Sequence, residues 1–210
     1  MYIPEHFREA DPERLQGLIR RHSLAVLVAN VEGVLVAEHL PLQLAVDADG
    51  GRRLRGHVAR GNPLWRRLPA GSPVLAIFHG AEHYISPSWY ASKAQHGRVV
   101  PTWNYAAVHA SGSIRFIEEP AWLLSLVGSL TDEHELQRTP RWRVSDAPGE
   151  YTAAMLRAIV GLEIEVGALV GKFKSSQNRS PADRAGVMRA LRAEGVAEEA
   201  LGELVRDPGD

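Results

Sequence analysis

Three separated segments of this chain combine hydrogen-bond donors with flat aromatic side chains. They cover residues 56–65, 84–105 and 172–179. A phosphate needs Arg or Lys charge together with hydroxyl, amide or backbone N–H donors. A planar ring needs apolar and aromatic walls with a few convergent polar groups. Because the three segments supply both kinds of group, they predict a binding site for a planar, phosphate-bearing cofactor.

The phosphate donors are expected on loops at the ends of predicted strands. They are Arg60, Asn62, Lys93, Lys172 and Gln177. The expected ring walls are Trp89, Tyr90, Trp103 and Tyr105. A single Trp or Tyr is more often a core residue than a ligand contact.

The number of polar groups among these rings argues for a site. The interleaved side chains are Ser86, Ser88, Ser92, Thr102, Asn104 and His109. A hydrophobic core does not need so many hydrogen-bonding groups. We therefore interpret the run from His79 to His109 as a binding segment. His57 and Arg60 are weaker candidates alone, and their adjacency to Asn62-Pro63 brings them into the set.

Several other chemistries are excluded by the sequence. The chain has no cysteine, which removes disulfides, thiolate catalysis and Cys-type metal sites, and no metal site is predicted. Residues 167–173 imitate a phosphate-binding P-loop, but the spacing is one residue short and Phe173 replaces the required Ser or Thr. His79 and His83 have helical spacing in a segment that does not favour a helix, so a metal pair is not expected.

Composition places the chain among ordinary globular proteins. It has 210 residues, 24 Lys and Arg against 25 Asp and Glu, and a net charge of −1. That balance offers no electrostatic footprint for nucleic acid. No apolar stretch is long enough to cross a bilayer and the N-terminus lacks a signal pattern, so we expect a cytoplasmic protein without membrane association.

The elements that must position the candidate residues are mostly strands in the first part of the chain. Apolar runs at 24–29 and 34–37 predict a hairpin, and alternation at 40–46 and 54–58 predicts a second strand pair. The fifth and sixth strands are expected at 74–78 and 108–117, with a loop-rich segment between them, and a late strand at 162–166 is expected to return to the sheet. Asn62-Pro63 is expected to start a short helix.

Helices are predicted at 120–137 and 148–160, the second capped by Asp146, and at 181–195 and 197–205. The last two resemble a helix-turn-helix, but the second carries Glu198, Glu199 and Glu203, which would repel DNA phosphates. We therefore predict a packing or dimerisation hairpin. The expected organisation is one domain, 1–210, with the hairpin 181–206 as an appendage.

The motifs also carry a resemblance to a known family. They are Met1-Tyr-Ile-Pro-Glu-His-Phe7, Gly56-His-Val-Ala-Arg-Gly-Asn-Pro-Leu-Trp65, Tyr84-Ile-Ser-Pro-Ser-Trp-Tyr90, Val100-Pro-Thr-Trp-Asn-Tyr105 with Val108-His109, and Lys172 followed by Ser176-Gln-Asn-Arg179. In this order and spacing, nearly end to end, the chain resembles the PaiB-type FMN-binding negative transcriptional regulators.

The resemblance implies an α+β fold, an antiparallel split β-barrel of the FMN-binding type, with helices concentrated in the C-terminal half. It implies a homodimer with FMN at the subunit interface. His57, Arg60 and Asn62 would lie near the phosphate, and Lys93 with the run from Lys172 to Asn178 would complete the pocket.

By the same resemblance, Trp103, Asn104 and Tyr105 would border the flavin. The complete predicted set is His57, Arg60, Asn62, Ser86, Ser88, Trp89, Tyr90, Lys93, Thr102, Trp103, Asn104, Tyr105, His109, Lys172, Ser176, Gln177 and Asn178. The family lysine can be either Lys172 or Lys174, because the run here reads Lys-Phe-Lys-Ser-Ser-Gln-Asn.

Three functions remain open from the sequence. The first is a flavin-binding negative regulator of transcription, for which DNA binding is suggested by the family and not by charge. The second is a flavin-dependent oxidoreductase that uses NADH or NADPH, with His109 and Tyr105 as candidate acid–base groups. The third is haem binding in the same fold, with His57 or His109 as the axial ligand.

Overall fold

A computed structural model describes residues 1–207 of the chain. Its strands are β1 (Arg8–Glu9), β2 (Leu24–Val31), β3 (Val34–Pro41), β4 (Gln43–Val46), β5 (Arg52–Ala59), β6 (Ser72–Ile85), β7 (Thr102–Ile117) and β8 (Ile159–Lys174). Its helices are α1 (Pro12–Arg21), α2 (Leu64–Arg67), α3 (Ser92–His96), α4 (Pro120–His134), α5 (Gly149–Arg157), α6 (Pro181–Ala193) and α7 (Glu198–Leu204). Short 3-10 helices lie at Glu5–Phe7, Pro87–Trp89 and Val144–Asp146.

Within the described residues, the strands form one antiparallel sheet in the order β3-β2-β6-β7-β8-β5-β4, and β1 pairs with β8. The path ends at β3 and β4, so the sheet is not closed by hydrogen bonds. The α+β class is confirmed, and α4 to α7 lie in the C-terminal half as expected. None of the described helices is long and apolar enough to span a bilayer.

The β2–β3 hairpin forms where the sequence predicts it. Leu24 pairs with Pro41 and Val31 with Val34. Glu32 and Gly33 take positive φ values of 54° and 87°, and the side-chain oxygen of Asn30 accepts a hydrogen bond from Gly33 N at 2.8 Å. Gly favours such a conformation because it lacks Cβ, and the local turn therefore fixes the register of both strands.

Three strands of the sheet extend well beyond the ranges expected from the sequence: β6, β7 and β8, the last of which was expected only at 162–166 and runs from Ile159 to Lys174. β6 continues to Ile85 and β7 begins at Thr102, so Tyr84 and residues 102–105 lie in strands and not in a loop-rich segment. The alternation is obscured there because the exposed face carries aromatic and charged side chains instead of the usual polar ones. β1 and α1 are also absent from the predicted elements.

Helix starts were predicted with mixed success. The side-chain oxygen of Asn62 accepts from Leu64 N at 2.8 Å, and Ser180 Oγ accepts from Asp183 N at 3.2 Å, as a capping residue should. The prediction for Asp146 is wrong: α5 begins after Pro148, without a side-chain cap, and the Asp146 carboxylate instead accepts from Arg143 N.

The chain divides into two compact units. The first unit consists of Met1–His22, Phe78–His109 and Leu169–Asp210, and the second of Ser23–Ile77 and Ala110–Ala168. In the second unit, Leu54 and Val58 of β5 and Val160, Leu162 and Ile164 of β8 are buried as the strand period requires.

The α6–α7 hairpin belongs to the core of the first unit. Val187, Leu191, Leu201 and Leu204 are buried and pack in one cluster with Ile85. Gly186 is required at this contact, since a Cβ there would lie 2.0 Å from the carbonyl oxygen of Trp89. The hairpin is thus packed against its own unit by the apolar faces of both helices.

Candidate functional site

The outer face of β6, β7 and β8 in the first unit gathers aromatic and basic side chains. The rings of His79 and Tyr105 stack at 6.4 Å with an angle of 10° between their planes. The Lys172 ammonium lies 5.2 Å from the centre of the Tyr105 ring. This is the geometry of a cation–π contact, and it places a positive charge beside a flat surface.

A second aromatic pair continues this face. Tyr84 and Trp103 meet edge to face at 6.1 Å and 73°, and they are 45% and 53% exposed. Large aromatic side chains left open to water mark binding surfaces more often than solitary exposed residues do. We call Tyr84, Trp103, Tyr105, His79 and Lys172 the aromatic–basic face.

Lys174 is held differently from Lys172. Its ammonium donates to the hydroxyl of Thr102 and to the carbonyl oxygen of Trp103, the latter at 2.7 Å. Burial lowers the pKa of Lys174, and the positive charges of Lys172 and Arg179 lower it further. The two lysines thus have distinct roles in the fold: Lys174 is fixed by β7, while Lys172 lies against a ring. Which of them is the family lysine stays a prediction.

The turn after β8 is closed by its own side chains. The Gln177 amide donates to the carbonyl of Phe173 at 2.6 Å, and its oxygen accepts from Ser175 N at 2.7 Å. Ser176 takes a positive φ of 59° and is buried, whereas Asn178 is exposed. Gln177 therefore shapes the turn, and Asn178 presents its amide to solvent.

Asn104 connects this turn to the C-terminal hairpin. Its side chain is 1% exposed, and its amide donates to Ser176 Oγ at 2.7 Å and to the carbonyl of Leu204 at 2.8 Å. A buried amide whose two N–H groups are both hydrogen-bonded holds together the two segments that it contacts. Asn104 and Ser176 thus contact each other, and both support the turn from inside.

Residues 86–93 surround the start of α6. Ser86 Oγ accepts from Ser88 N, and the Lys93 ammonium donates to Ser88 Oγ, both at 3.2 Å. Trp89 packs partly buried against the hairpin core. Tyr90 is 3% exposed and lies under the Arg179 guanidinium, 4.6 Å from it. Trp89 and Tyr90 therefore contribute mainly to packing within the first unit.

The remaining phosphate candidates, His57, Arg60 and Asn62, lie in the second unit, and Arg60 and Asn62 both hydrogen-bond to protein groups there. Arg60 donates to the carbonyls of Arg157 and Ile159 and to the Glu118 carboxylate, at 2.6, 3.1 and 2.5 Å. The Asn62 amide donates to Glu38 at 2.9 Å. Both side chains therefore already have protein partners within their unit.

His57 in the second unit and His109 in the first are each partly buried. The Nδ1 atom of His57 is buried without a hydrogen-bond partner among residues 1–207. Burial lowers the pKa of both imidazoles, and the chain's amino terminus lowers that of His109 further. Both rings are therefore neutral at neutral pH. Within the described part of the chain, no three His, Cys, Asp or Glu side chains cluster as a metal site requires.

One residue important to the first unit was missed by the sequence analysis. Glu203 is buried, not solvent-facing: Arg21 Nη2 donates to it at 2.8 Å, Ala81 N at 2.8 Å, and His22 Nε2 lies 3.2 Å away. These partners lower the pKa of Glu203 to about 2 despite its burial. A Cβ on Gly80 would lie 2.4 Å from the carboxylate, so the glycine was the available signal.

The chain is similar in sequence to known proteins over most of its length. Residues 1–168 match the model of a family described as "Putative FMN-binding domain". The chain is 32% identical to "Protease synthase and sporulation protein PAI 2" of Bacillus subtilis, over 99% of this chain and 97% of that protein. The chain belongs to this PaiB-type FMN-binding family. An uncharacterised protein of Emericella nidulans is also 32% identical, over 100% of this chain and 98% of its own length.

Solved structures extend the comparison of the fold. The FAD and haem binding protein of Mycobacterium smegmatis has a TM-score of 0.58 at 19% identity, covering 79% of this chain and 72% of its own. The flavocytochrome Anf3 of Azotobacter vinelandii has a TM-score of 0.60 at 13% identity, covering 81% and 72%. These likenesses confirm the split-barrel fold. Family membership and the fold together indicate that the chain is a flavin-binding protein.

Proposed function

We propose that the protein is an FMN-binding flavoprotein whose flavin contacts the aromatic–basic face. The observation that carries this proposal is the stacked His79–Tyr105 pair with the Lys172 ammonium 5.2 Å from the Tyr105 ring. A tricyclic flavin offers a flat apolar ring and FMN adds one phosphate, so a flat surface beside fixed positive charge matches both ends of the ligand.

The groups present fit this ligand within the first unit. Lys172, Lys174 and the exposed Asn178 offer cationic and amide donors close to the turn after β8. Arg60 is a poorer phosphate ligand, because its guanidinium would have to give up a carboxylate and two carbonyls. Trp103 and Tyr84 would exclude water from the ring, and Asn104 would hold the turn in place.

A bound flavin would supply one- and two-electron transfer, and the protein would supply binding and orientation. Lys174, fixed by Thr102 and the Trp103 carbonyl, would keep β7 and β8 in register at the ligand. Lys172 would place its positive charge at the ligand's anionic end.

Titration with FMN, FAD and riboflavin tests this proposal through the quenching of flavin fluorescence. We expect FMN to bind most tightly, and riboflavin, which lacks the phosphate, to bind at least about tenfold more weakly. Lys172→Met should lose most of the difference between FMN and riboflavin, while Trp103→Ala should weaken both flavins equally.

Tyr151→Ala is the matched control, because Tyr151 is a 58% exposed aromatic residue of α5 in the second unit. Its affinity for all three flavins should equal that of the unaltered protein. If no flavin binds, or if Tyr151→Ala and Trp103→Ala weaken binding alike, the proposal is wrong.

For the biological role, we propose a flavin-dependent negative regulator of transcription that acts as a homodimer. The family and the near full-length likeness to the sporulation protein of B. subtilis support this role. Exposed Tyr84 and Trp103 are apolar side chains suited to an interface between subunits. A gel-shift series at several salt concentrations tests DNA binding, and sedimentation with and without FMN tests the dimer.

Haem binding is the second candidate, and one observation favours it. His57 and His109 are neutral at neutral pH because burial lowers their pKa, and a neutral imidazole is the form that ligates iron. A Soret band after haem addition that is lost in His57→Ala or His109→Ala would support it. Flavin bleaching by NADH or NADPH without oxygen would instead support a flavin-dependent oxidoreductase.

A further inference from the structure

The first unit contains a large cavity away from the aromatic–basic face. Its volume is about 980 Å³, and it is bounded by α1, α6, α7 and residues 205–207. Pockets of this size accommodate small-molecule ligands. No residue of the aromatic–basic face lines it.

The cavity has an apolar floor. Phe173 and Val205 line it as buried side chains, and Met188 of α6, which packs against the same cluster as Val205, lines it too; the Arg206 guanidinium lies 5.1 Å from the centre of the Phe173 ring. Methionine adapts its shape to an inserted apolar group. This floor suits a hydrocarbon body and offers no specific hydrogen bonds to it.

A buried cation stands on the wall of the cavity. Arg184 is 8% exposed, and its Nη1 donates to the carbonyl of Arg179 at 2.6 Å. Its other edge, Nε and Nη2, donates to a single oxygen, Oδ1 of Asp207, at 3.1 and 2.6 Å. The Asp207 side chain is 71% exposed and follows the end of α7.

This pairing uses only part of what the guanidinium edge can bind. Two parallel N–H groups match the two oxygens of a carboxylate, and that fork is stronger than a pair of bonds to one oxygen. A carboxylate arriving from the cavity could take both bonds, while Asp207, already largely in water, loses little by release.

The other charges on the wall restrict the ligand to a single negative charge. Arg21 contacts the buried Glu203 carboxylate and Arg206 the Glu9 carboxylate, both at 2.8 Å, and Arg14 lies 3.5 Å from the Asp11 carboxylate. The exposed Glu13 and Glu199 also line the cavity, and they would repel a dianion such as phosphate more than a monoanion.

We propose that this cavity binds a small amphipathic monocarboxylate, with its carboxylate on Arg184 in place of Asp207 and its apolar body on the floor formed by Phe173, Met188 and Val205. Asp207 then acts as an internal competitor that occupies the site in the absence of ligand. The proposal does not depend on flavin.

Octanoate is the probe, added to the full-length protein and followed by calorimetry and by the NMR signals of the arginine Nε–H groups. Asp207→Asn should bind octanoate about tenfold more tightly than the unaltered protein, because the competing charge is gone. Across acetate, hexanoate and octanoate, each added CH₂ should tighten binding about fourfold. The Arg184 signal should shift on binding.

Arg184→Gln should abolish octanoate binding, and Arg192→Gln is its matched control. Arg192 lies on the same helix and pairs with the exposed Glu198, outside the cavity lining. Octanamide, which has the same chain without the charge, should bind far more weakly than octanoate in every variant that retains Arg184.

The proposal is overturned if Asp207→Asn gains no affinity, if octanamide or inorganic phosphate binds as well as octanoate, or if acetate matches octanoate. Should Arg184→Gln fail to fold, the gain in Asp207→Asn and the octanamide comparison still decide the matter. Flavin titrations are separate measurements, so failure here leaves the flavin proposal intact.

Discussion

Replacing Glu203 by glutamine removes one buried charge while keeping the shape of the side chain. In the folded protein this carboxylate receives hydrogen bonds from Arg21 and from Ala81 N, with His22 3.2 Å away. Its pKa falls from 4.5 to about 2, which corresponds to about 3 kcal/mol of stabilisation of the charged form. We expect Glu203→Gln to lower the free energy of unfolding by about 2–3 kcal/mol near neutral pH, since the amide can still accept from Ala81 N.

The sign of the pH dependence follows from the lowered pKa. The stabilisation by Glu203 is fully present above its unfolded pKa, near 4.5, and is lost as the pH falls towards about 2. The difference between the unaltered protein and Glu203→Gln should therefore be largest near neutral pH and shrink through this window. Taking the difference between two proteins removes the contribution of the other carboxylates.

Urea unfolding at a series of pH values measures this difference. Glu198→Gln is the matched control, because Glu198 lies on the same helix but pairs with Arg192 in water, and exposed ion pairs contribute little to stability. A loss by Glu203→Gln no larger than that of the control, or a loss that stays constant down to about pH 2, would refute the assignment of Glu203 as a charged tie.

Other substitutions test the packing around the two units. Gly186→Ala should lower the free energy of unfolding by at least about 2 kcal/mol, because its Cβ would collide with the Trp89 carbonyl. Gly202→Ala, with open space around it, should stabilise α7 by about 0.5–1 kcal/mol. Urea unfolding measures both changes, and equal effects of the two substitutions would contradict the Gly186 contact. Asn104→Ala should lower the free energy of unfolding by about 1–3 kcal/mol, because Ser176 Oγ and the Leu204 carbonyl lose their hydrogen-bond donor. Hydrogen exchange of the backbone amides in the turn after β8 should become faster. Glu163→Gln should destabilise the second unit at pH values above the normal carboxylate pKa, and much less in acid. The reason is that Arg115 and Arg55 lower the pKa of Glu163 even though burial raises it. A loss of thermal stability that does not change with pH would argue against this prediction.

Much of the fold is predictable from local sequence, and the strands whose bounds were predicted wrongly also have local causes. The β2–β3 hairpin was predictable because Asn30, Glu32 and Gly33 define a turn between two apolar runs. β7 was placed too late because Thr102 to Tyr105 carry aromatic and polar groups on the exposed face of a strand. A period-two pattern fails as a guide where the exposed face is itself aromatic.

The candidate site, like the fold, was predictable from the sequence only in part. Asn104 and Ser176 were both recognisable as candidate polar residues, but the hydrogen bond from the Asn104 amide to Ser176 Oγ was not predictable. Glu203 could not be assigned from its position in an acidic helix, because its partners Arg21 and His22 lie more than 180 residues earlier in the chain. A burial that depends on such distant segments leaves only indirect signs, such as a glycine at position 80 where a strand would usually carry a side chain.

The composition of the first unit from three chain segments has a consequence for synthesis. On the ribosome, α1 emerges early, but the carboxylate that ties its end at Arg21 is made 182 residues later. The second unit consists of Ser23–Ile77 and Ala110–Ala168, so all its residues are made before Glu203. We expect the nascent chain to carry an incomplete first unit until its last helix is released, which makes that helix the step at which the protein becomes competent to bind ligand.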